Sequence, residues 1–143
     1  MENIIEAVSS EDIIKELTEE RFVRKTNFGN NEIYIVNAHN APNTMREIGR
    51  LRELSFRSSG GGTGKSIDID EFDTRDEAFF EQLIVWDPVE KEILGGYRFI
   101  DCKKLHIKNN GQVDTPTSEL FYYSKDFIDK YLPNTIELGR SFI

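Results

Sequence analysis

The sequence predicts an α/β (α+β) domain, and three stretches carry that prediction. Thr44-Met45-Arg46-Glu47 has the Thr-x-x-Glu form of a capping box and opens a helical segment to about Arg57. EQLIVWD (81–87) and EILGGYRFID (92–101) are apolar runs separated by an Asp87-Pro88 turn, so they read as a hairpin. TIELGRSFI, closing at Ile143, reads as a last strand.

The remaining elements follow in order. Ser9 or Ser10 caps a short helix over Glu11 to Leu17, with Ile13, Ile14 and Leu17 on one side. Residues 1–30 form a helical lead-in, and the main domain covers 31–143. Asn27 to Asn31 is turn chemistry, after which EIYIVNA from Glu32 is a strand. Pro42 and Asn43 break the chain before the helix. Residues 103–118 are a polar loop, and SKDFIDKYL is a short helix.

Composition removes several function classes. With 143 residues, 38% hydrophobic and 31% charged, the chain can bury one modest core and remain soluble. A net charge of -8 argues against broad nucleic-acid binding, which needs a basic surface. The single cysteine, Cys102, excludes an internal disulfide framework, and no apolar run is long enough to span a bilayer. These features favour the cytoplasm. His39 and His106 lie far apart without metal-ligand spacing around them, so both are read as surface or turn residues and no metal is expected.

SSGGGTGKSIDIDEFD (58–73) ends like a phosphate-binding P-loop, with Gly64-Lys65-Ser66, but has Ser59 where the first glycine belongs. A working P-loop joins a strand to a helix, whereas here a helix precedes the loop and the acidic run Asp68, Asp70, Glu71, Asp73 follows it. Nucleotide binding is therefore not expected. The glycines are read as a mobile segment.

Charges inside apolar segments are the more informative signal. At about 100° per residue, Met45, Ile48, Gly49 and Phe56 share one helix face, with Arg52 in its middle. Arg46, Arg50 and Arg57 share another face, interrupted by Glu53. An arginine in an apolar stripe needs a carboxylate, and Asp70 and Asp73 are neighbours if the chain makes one helical turn. Arg98 sits within the apolar GGYRFI. Glu137 and Arg140, three apart, point to opposite faces of a regular strand, unless a bulge at Gly139 brings them to one side. A structural ion-pair network remains the alternative to a functional site.

The ordered set Arg52 and Phe56 (LRELSF), Asp70 and Asp73 (DEFD), Arg98 (GGYRF), Glu137 and Arg140 (ELGRS) resembles the acyl-carrier-protein-dependent N-acyltransferases. These GNAT-like proteins include acyl-homoserine-lactone synthases and ornithine- or glycine-lipid N-acyltransferases. The likeness is nearest to the lipid-forming branch, often labelled hemolysins, and runs from about Asn31 to Ile143. It implies a mixed, mostly antiparallel sheet flanked by helices, and amide formation between an amine and an acyl-phosphopantetheine thioester. By resemblance Glu137 is the base or orients a water, and Asp70 and Asp73 bind the amine or organise the loop. Arg52, Arg98 and Arg140 hold the carboxylates or meet a substrate carboxylate, and Phe56 shapes a substrate pocket.

The donor implied is an acyl group on acyl carrier protein, with no tightly bound cofactor, and the acceptor is an amino acid. Arg46, Arg50, Arg57 and Lys65 are the basic stripe on which an acidic carrier protein would dock. Peripheral membrane association and dimerisation are further expectations. The resemblance also implies that the chain is cut after the fourth core strand, before the phosphate-cradling loop. An inactive acyl- or partner-binding module of the same fold is the alternative function.

Overall fold

A computed structural model describes residues 1–143. Its centre is one five-stranded sheet in the order β1-β2-β3-β4-β5, with every neighbouring pair antiparallel. The strands are β1 (Phe22–Lys25), β2 (Glu32–Val36), β3 (Glu81–Asp87), β4 (Glu92–Asp101) and β5 (Ile136–Phe142). β3 and β4 form the hairpin expected from sequence, with Leu83 opposite Tyr97 and Gln82 opposite Arg98. Strict alternation of half-buried and buried residues along β3 places Gln82, Ile84 and Trp86 on one face. That face meets α2 (Pro42–Ser58), and Val36, Met45, Ile48, Ile84, Trp86, Ile93 and Phe142 form the main core.

The lead-in is not purely helical. It holds α1 (Ser10–Glu16), a single 3-10 turn and then β1, whose four residues are all exposed. An edge strand of this kind, Phe-Val-Arg-Lys, buries too little to show an alternating pattern.

The start of α2 corrects the capping-box reading. Pro42 occupies the first turn, where its missing N–H costs nothing, and Ala41 is the N-cap without a side-chain hydrogen bond. The cap comes from another helix. The Glu16 carboxylate accepts from the Asn43 and Thr44 backbone N–H groups at 3.1 and 2.6 Å and from the Thr44 hydroxyl at 2.8 Å. A negative charge on the free amides of a helix start is favourable for the same reason a local cap is. Glu47, the expected partner in the box, instead accepts from Val8 N–H at 3.0 Å and from Arg50. Two acidic side chains thereby tie the lead-in to the domain.

Two glycines are required by close approach. A Cβ on Gly49 would lie 2.6 Å from Ile69 Cγ1 and 2.7 Å from Ile67 Cγ1, because the 67–69 segment crosses α2 there. A Cβ on Gly96 would lie 2.3 Å from the Leu83 carbonyl oxygen. After the glycine segment come α3 (Glu71–Thr74), then beyond β4 the short α4 (Pro116–Leu120) and α5 (Lys125–Lys130). Cys102, Val113, Ile128 and Leu132 form a second small core under these. No helix is long and apolar enough to cross a membrane.

Candidate functional site

The sheet's inner face carries two polar residues where its pattern calls for apolar ones: Gln82 on β3 and Arg98 on β4, directly opposite each other and both buried. α2 lowers Arg52 onto them. Arg52 is fully buried, as its position in the apolar stripe predicts, and donates to Asp73 Oδ2 at 3.0 Å and to Gln82 Oε1 at 2.5 Å. Gln82 Nε2 donates to Asp73 Oδ1 at 2.9 Å, closing a three-residue ring.

Asp73 reaches the ring because residues 70–74 make the single helical turn that the Asp-x-x-Asp spacing requires. Asp70 is its N-cap, accepting from Phe72 N–H at 3.0 Å, while Asp73 accepts from the Asp70 N–H at 3.1 Å. Each aspartate therefore caps the turn and meets an arginine. Arg98 binds Asp70 end-on, donating from Nη1 and Nη2 at 2.7 and 3.1 Å, and comes within 3.2 Å of Asp73 Oδ2. Its guanidinium also lies 4.9 Å from the Phe80 ring centre, a cation–π contact.

Electrostatics follow from this packing. Burial works against the Asp70 charge, but the Arg98 hydrogen bonds and the Arg98 and Arg140 charges outweigh it, and its pKa is lowered. Arg98 is likewise opposed by burial and raised overall by Asp70 and Asp73. Arg52 goes the other way: burial exceeds the help from Asp73, and its pKa is lowered.

The last strand supplies Arg140. Gly96 pairs with Phe142 and Arg98 with Gly139, so Tyr97 alone stands opposite Arg140 and Ser141, which makes a β-bulge. The bulge was expected, but its positive φ of 52° falls on Arg140, not on Gly139. An arginine in left-handed backbone is strained, and such strain collects at working sites. The extra residue turns Arg140 to the face that Glu137 and Phe142 share. Its Nε lies 3.4 Å from Asp68 Oδ2, its Nη2 lies 3.8 Å from Asp70 Oδ2, and its guanidinium carbon lies 6.0 Å from the Phe56 ring centre.

Glu137 stands apart from this cluster. Its Oε1 accepts from the Thr117 backbone N–H at 3.1 Å and from the Thr117 hydroxyl at 2.8 Å, at the start of α4. No ion pair joins it to Arg52, Arg98 or Arg140, so the structure brings together six of the seven sequence candidates and leaves this one on a neighbouring support.

Sequence reasoning missed Asp68 and Gln82. Both had a legible signal. Gln82 has the inward parity of Ile84 and Trp86, and Ile67-Asp68-Ile69-Asp70 alternates so that both aspartates turn away from the isoleucines packed on Gly49. Asp68 is buried, and burial raises its pKa against the pull of Arg140 and Arg52. Its Oδ2 has no hydrogen-bond partner, and neither do the Nε atoms of Arg52, Arg98 and Arg140.

The basic stripe is largely spent internally. Arg50 binds Glu47, and Arg57 binds Glu53 and the carbonyls of Glu2 and Lys65, which leaves Arg46 and the Lys65 ammonium exposed. Glu53, read from sequence as an interruption, is fully buried under the glycine segment and organises it. It accepts from Thr63 N–H at 3.0 Å, Thr63 Oγ1 at 2.7 Å and Gly64 N–H at 2.9 Å. Burial opposes this charge, yet those bonds and Arg57 hold its pKa down at about 2. The segment expected to be mobile is thus tied down, and it lies between two helices. That is no setting for a nucleotide phosphate.

No group of three His, Cys, Asp or Glu side chains is arranged to hold a metal ion. An apolar cleft of about 330 Å³ opens beside the bulge, lined by Leu83, Val85, Leu94, Tyr97 and Phe142. A second, about 280 Å³, lies between α2 and β4–β5 and shares Leu94, Phe142 and Ile143 with the first. No charged residue of the cluster lines either cleft, and Leu83 and Val85 place the first on the sheet face opposite to that of Gln82. The link is along the chain, since Ser141 and Phe142, which reach these clefts, directly follow Arg140 in β5.

Comparison with known proteins gives this arrangement a family. Over its whole length the chain is 54% identical to a protein of Bacteroides thetaiotaomicron named glycine N(alpha)-acyltransferase, covering 42% of that protein. It is 46% identical over its whole length to a protein of the same name from Phocaeicola vulgatus, covering 44% of it. The chain thus spans less than half the length of these curated relatives. No solved structure matches. Residues 51–143, from α2 to the last strand, match the family described as acetyltransferase (GNAT) domain, and the chain belongs to that family.

Proposed function

We propose that the protein takes part in transferring a fatty acyl group from acyl carrier protein to the amine of an amino acid, as an N-acyltransferase of the lipid-forming branch. The observation that carries this reading is the bulge at Arg140. It turns Arg140 into a buried, charge-balanced cluster while the next residues, Ser141 and Phe142, line an apolar cleft, in a chain of the GNAT family whose relatives are named for glycine N-acylation.

The reaction needs little from the protein beyond placement and proton handling. The amine nitrogen attacks the thioester carbonyl, the C–N bond forms, and the C–S bond breaks to release the phosphopantetheine thiol. An ammonium must first lose a proton, and the attacking nitrogen loses another as the amide forms. Glu137 is the group assigned to take the first proton, directly or through a water, and the second goes to the departing thiolate, which leaves as the thiol. Its Oε1 is occupied by Thr117, so Oε2 is the atom for this work. The bulge interrupts the β4–β5 ladder, and the backbone N–H groups at that break are the ones assigned to polarise the carbonyl oxygen. Asp70 attracts the ammonium, while Arg52, Arg98 and Asp73 keep it in place. Phe56 and the apolar clefts receive the acyl chain.

The test is direct transfer. The protein is incubated with acyl carrier protein loaded with a long acyl chain and with isotopically labelled glycine or ornithine, and the product is read by mass spectrometry. A labelled N-acyl amino acid supports the reading. Absence of transfer from both acyl carrier protein and coenzyme A thioesters would favour the inactive binding module.

A further inference from the structure

Within the ion cluster only two charged ends reach solvent. The side chains of Arg140 and Asp70 are 37% and 30% exposed, whereas those of Arg52, Asp68, Asp73 and Arg98 are at most 3% exposed. The open mouth is therefore one cation beside one anion, with Arg140 Nη2 and Asp70 Oδ2 3.8 Å apart. Arg140 is also the cluster arginine that donates no hydrogen bond, since its contacts with Asp68 and Asp70 fall outside bonding geometry. Behind it stands Asp68, sealed from solvent, with Oδ2 unpartnered and facing Arg140 Nε at 3.4 Å.

We propose that Asp68 is a positioning residue for the acceptor: it holds Arg140 by the Nε edge, so that the two terminal guanidinium nitrogens are offered to the carboxylate of a free amino acid. The ammonium of the same molecule falls to Asp70. A short zwitterion matches two opposite charges this close together, whereas an amine without a carboxylate leaves Arg140 unanswered. The planar fork of arginine suits a carboxylate taken in two parallel bonds. The strained backbone of Arg140 fits the same role, because the bulge is what turns its side chain toward Asp68. Asp68 also carries a cost that folding alone does not explain, being a buried carboxylate without a hydrogen bond to Oδ2.

The inference rests on the amino-acid acceptor reading, but its test does not need turnover. The Arg140 Nε–H resonance is followed by NMR in 15N-labelled protein during titration with glycine and, separately, glycinamide, which keeps the amine and lacks the carboxylate. Glycine should move that resonance and bind roughly tenfold or more tightly than glycinamide, the value of one charge-assisted bond pair. Asp68→Asn should lose most of that preference and Asp68→Glu should restore part of it. If Asp68→Asn fails to give a folded spectrum, Arg140→Lys, which keeps the charge and loses the fork, should abolish the preference instead. An unmoved Arg140 resonance, or unchanged selectivity in the variants, overturns the proposal. Equal acyl transfer to glycine and glycinamide would sink this inference and leave N-acyl transfer standing. Glycine binding at Arg140 without any acyl transfer would do the reverse.

Discussion

Arg52 and Asp73 meet at 3.0 Å with both side chains wholly sealed from solvent, one delivered by α2 and the other by the single turn of α3. Neither could be there alone. Removing one member of such a pair leaves an uncompensated buried charge, at about 3–5 kcal/mol. The pair therefore fixes the register of the 67–74 segment on the sheet, and with it the positions of Asp68 and Asp70.

Asp73→Asn should lower the melting temperature by roughly 10 °C or more, from that penalty in a domain of this size. Asp68→Asn should not lower it. The folded pKa of Asp68 is raised, so its ionised form costs stability once pH exceeds that pKa, and an uncharged amide of the same shape removes the cost. Thermal denaturation of both variants at pH 7 checks the contrast, and an Asp68→Asn loss matching that of Asp73→Asn would contradict it.

Glu53 predicts a pH dependence of opposite sign. Its folded pKa is depressed from 4.5 to about 2, so its contribution is full above pH 4.5 and is lost as pH falls through about 2. The stability advantage of wild type over Glu53→Gln should be constant above pH 5 and shrink steadily between pH 4.5 and 2. Melting curves of the two proteins across that range are the check. A gap that widens on acidification would place the Glu53 charge in the wrong surroundings.

The helix-start contact from Glu16 gives a third prediction. Glu16→Ala should destabilise the protein by about 1–2 kcal/mol, like the loss of a strong N-cap, because the Asn43 and Thr44 amides lose their acceptor. Glu47→Ala should instead release residues near Val8, whose N–H it holds. Hydrogen exchange at Thr44 and Val8 separates the two effects.

How far the sequence could be read depended on the range of the interactions involved. β3 and β4 were legible because alternation and a turn signal are local. Arg52 was legible as a buried charge because helical periodicity alone puts it in an apolar stripe. The α2 cap was not, since Glu16 lies 27 positions before Asn43 and no local pattern marks it; Thr44 had the right spelling for a cap one turn too late. The glycine segment looked loose because its anchor, Glu53, was read as part of a charged face. The bulge was expected at Gly139 on conformational grounds, and the structure places the strain on Arg140, where preference yields to position. Glu137 shared a motif with Arg140 but not a cluster, because α4, unseen in the sequence, captures it through Thr117.

Nucleotides should leave the protein unchanged. ATP with magnesium is expected to give no thermal shift, in wild type or in Lys65→Ala, because the Gly64, Lys65 and Ser66 amides already donate to Glu53, the Thr63 hydroxyl and Glu2. A shift that disappears in Lys65→Ala would revive the phosphate-loop reading.

The central claim, proton removal by Glu137 during amide formation, is tested most directly by the pH–rate profile of acyl transfer in Glu137→Gln against wild type, with glycine as acceptor. Glutamine keeps the shape and can still accept from Thr117, so folding should be preserved while the rate falls by about 10²–10⁴-fold, the usual contribution of a general base. The loss should be smallest at high pH, where the amine is already neutral. A Glu137→Gln protein that matches wild-type rates at every pH would contradict the assignment.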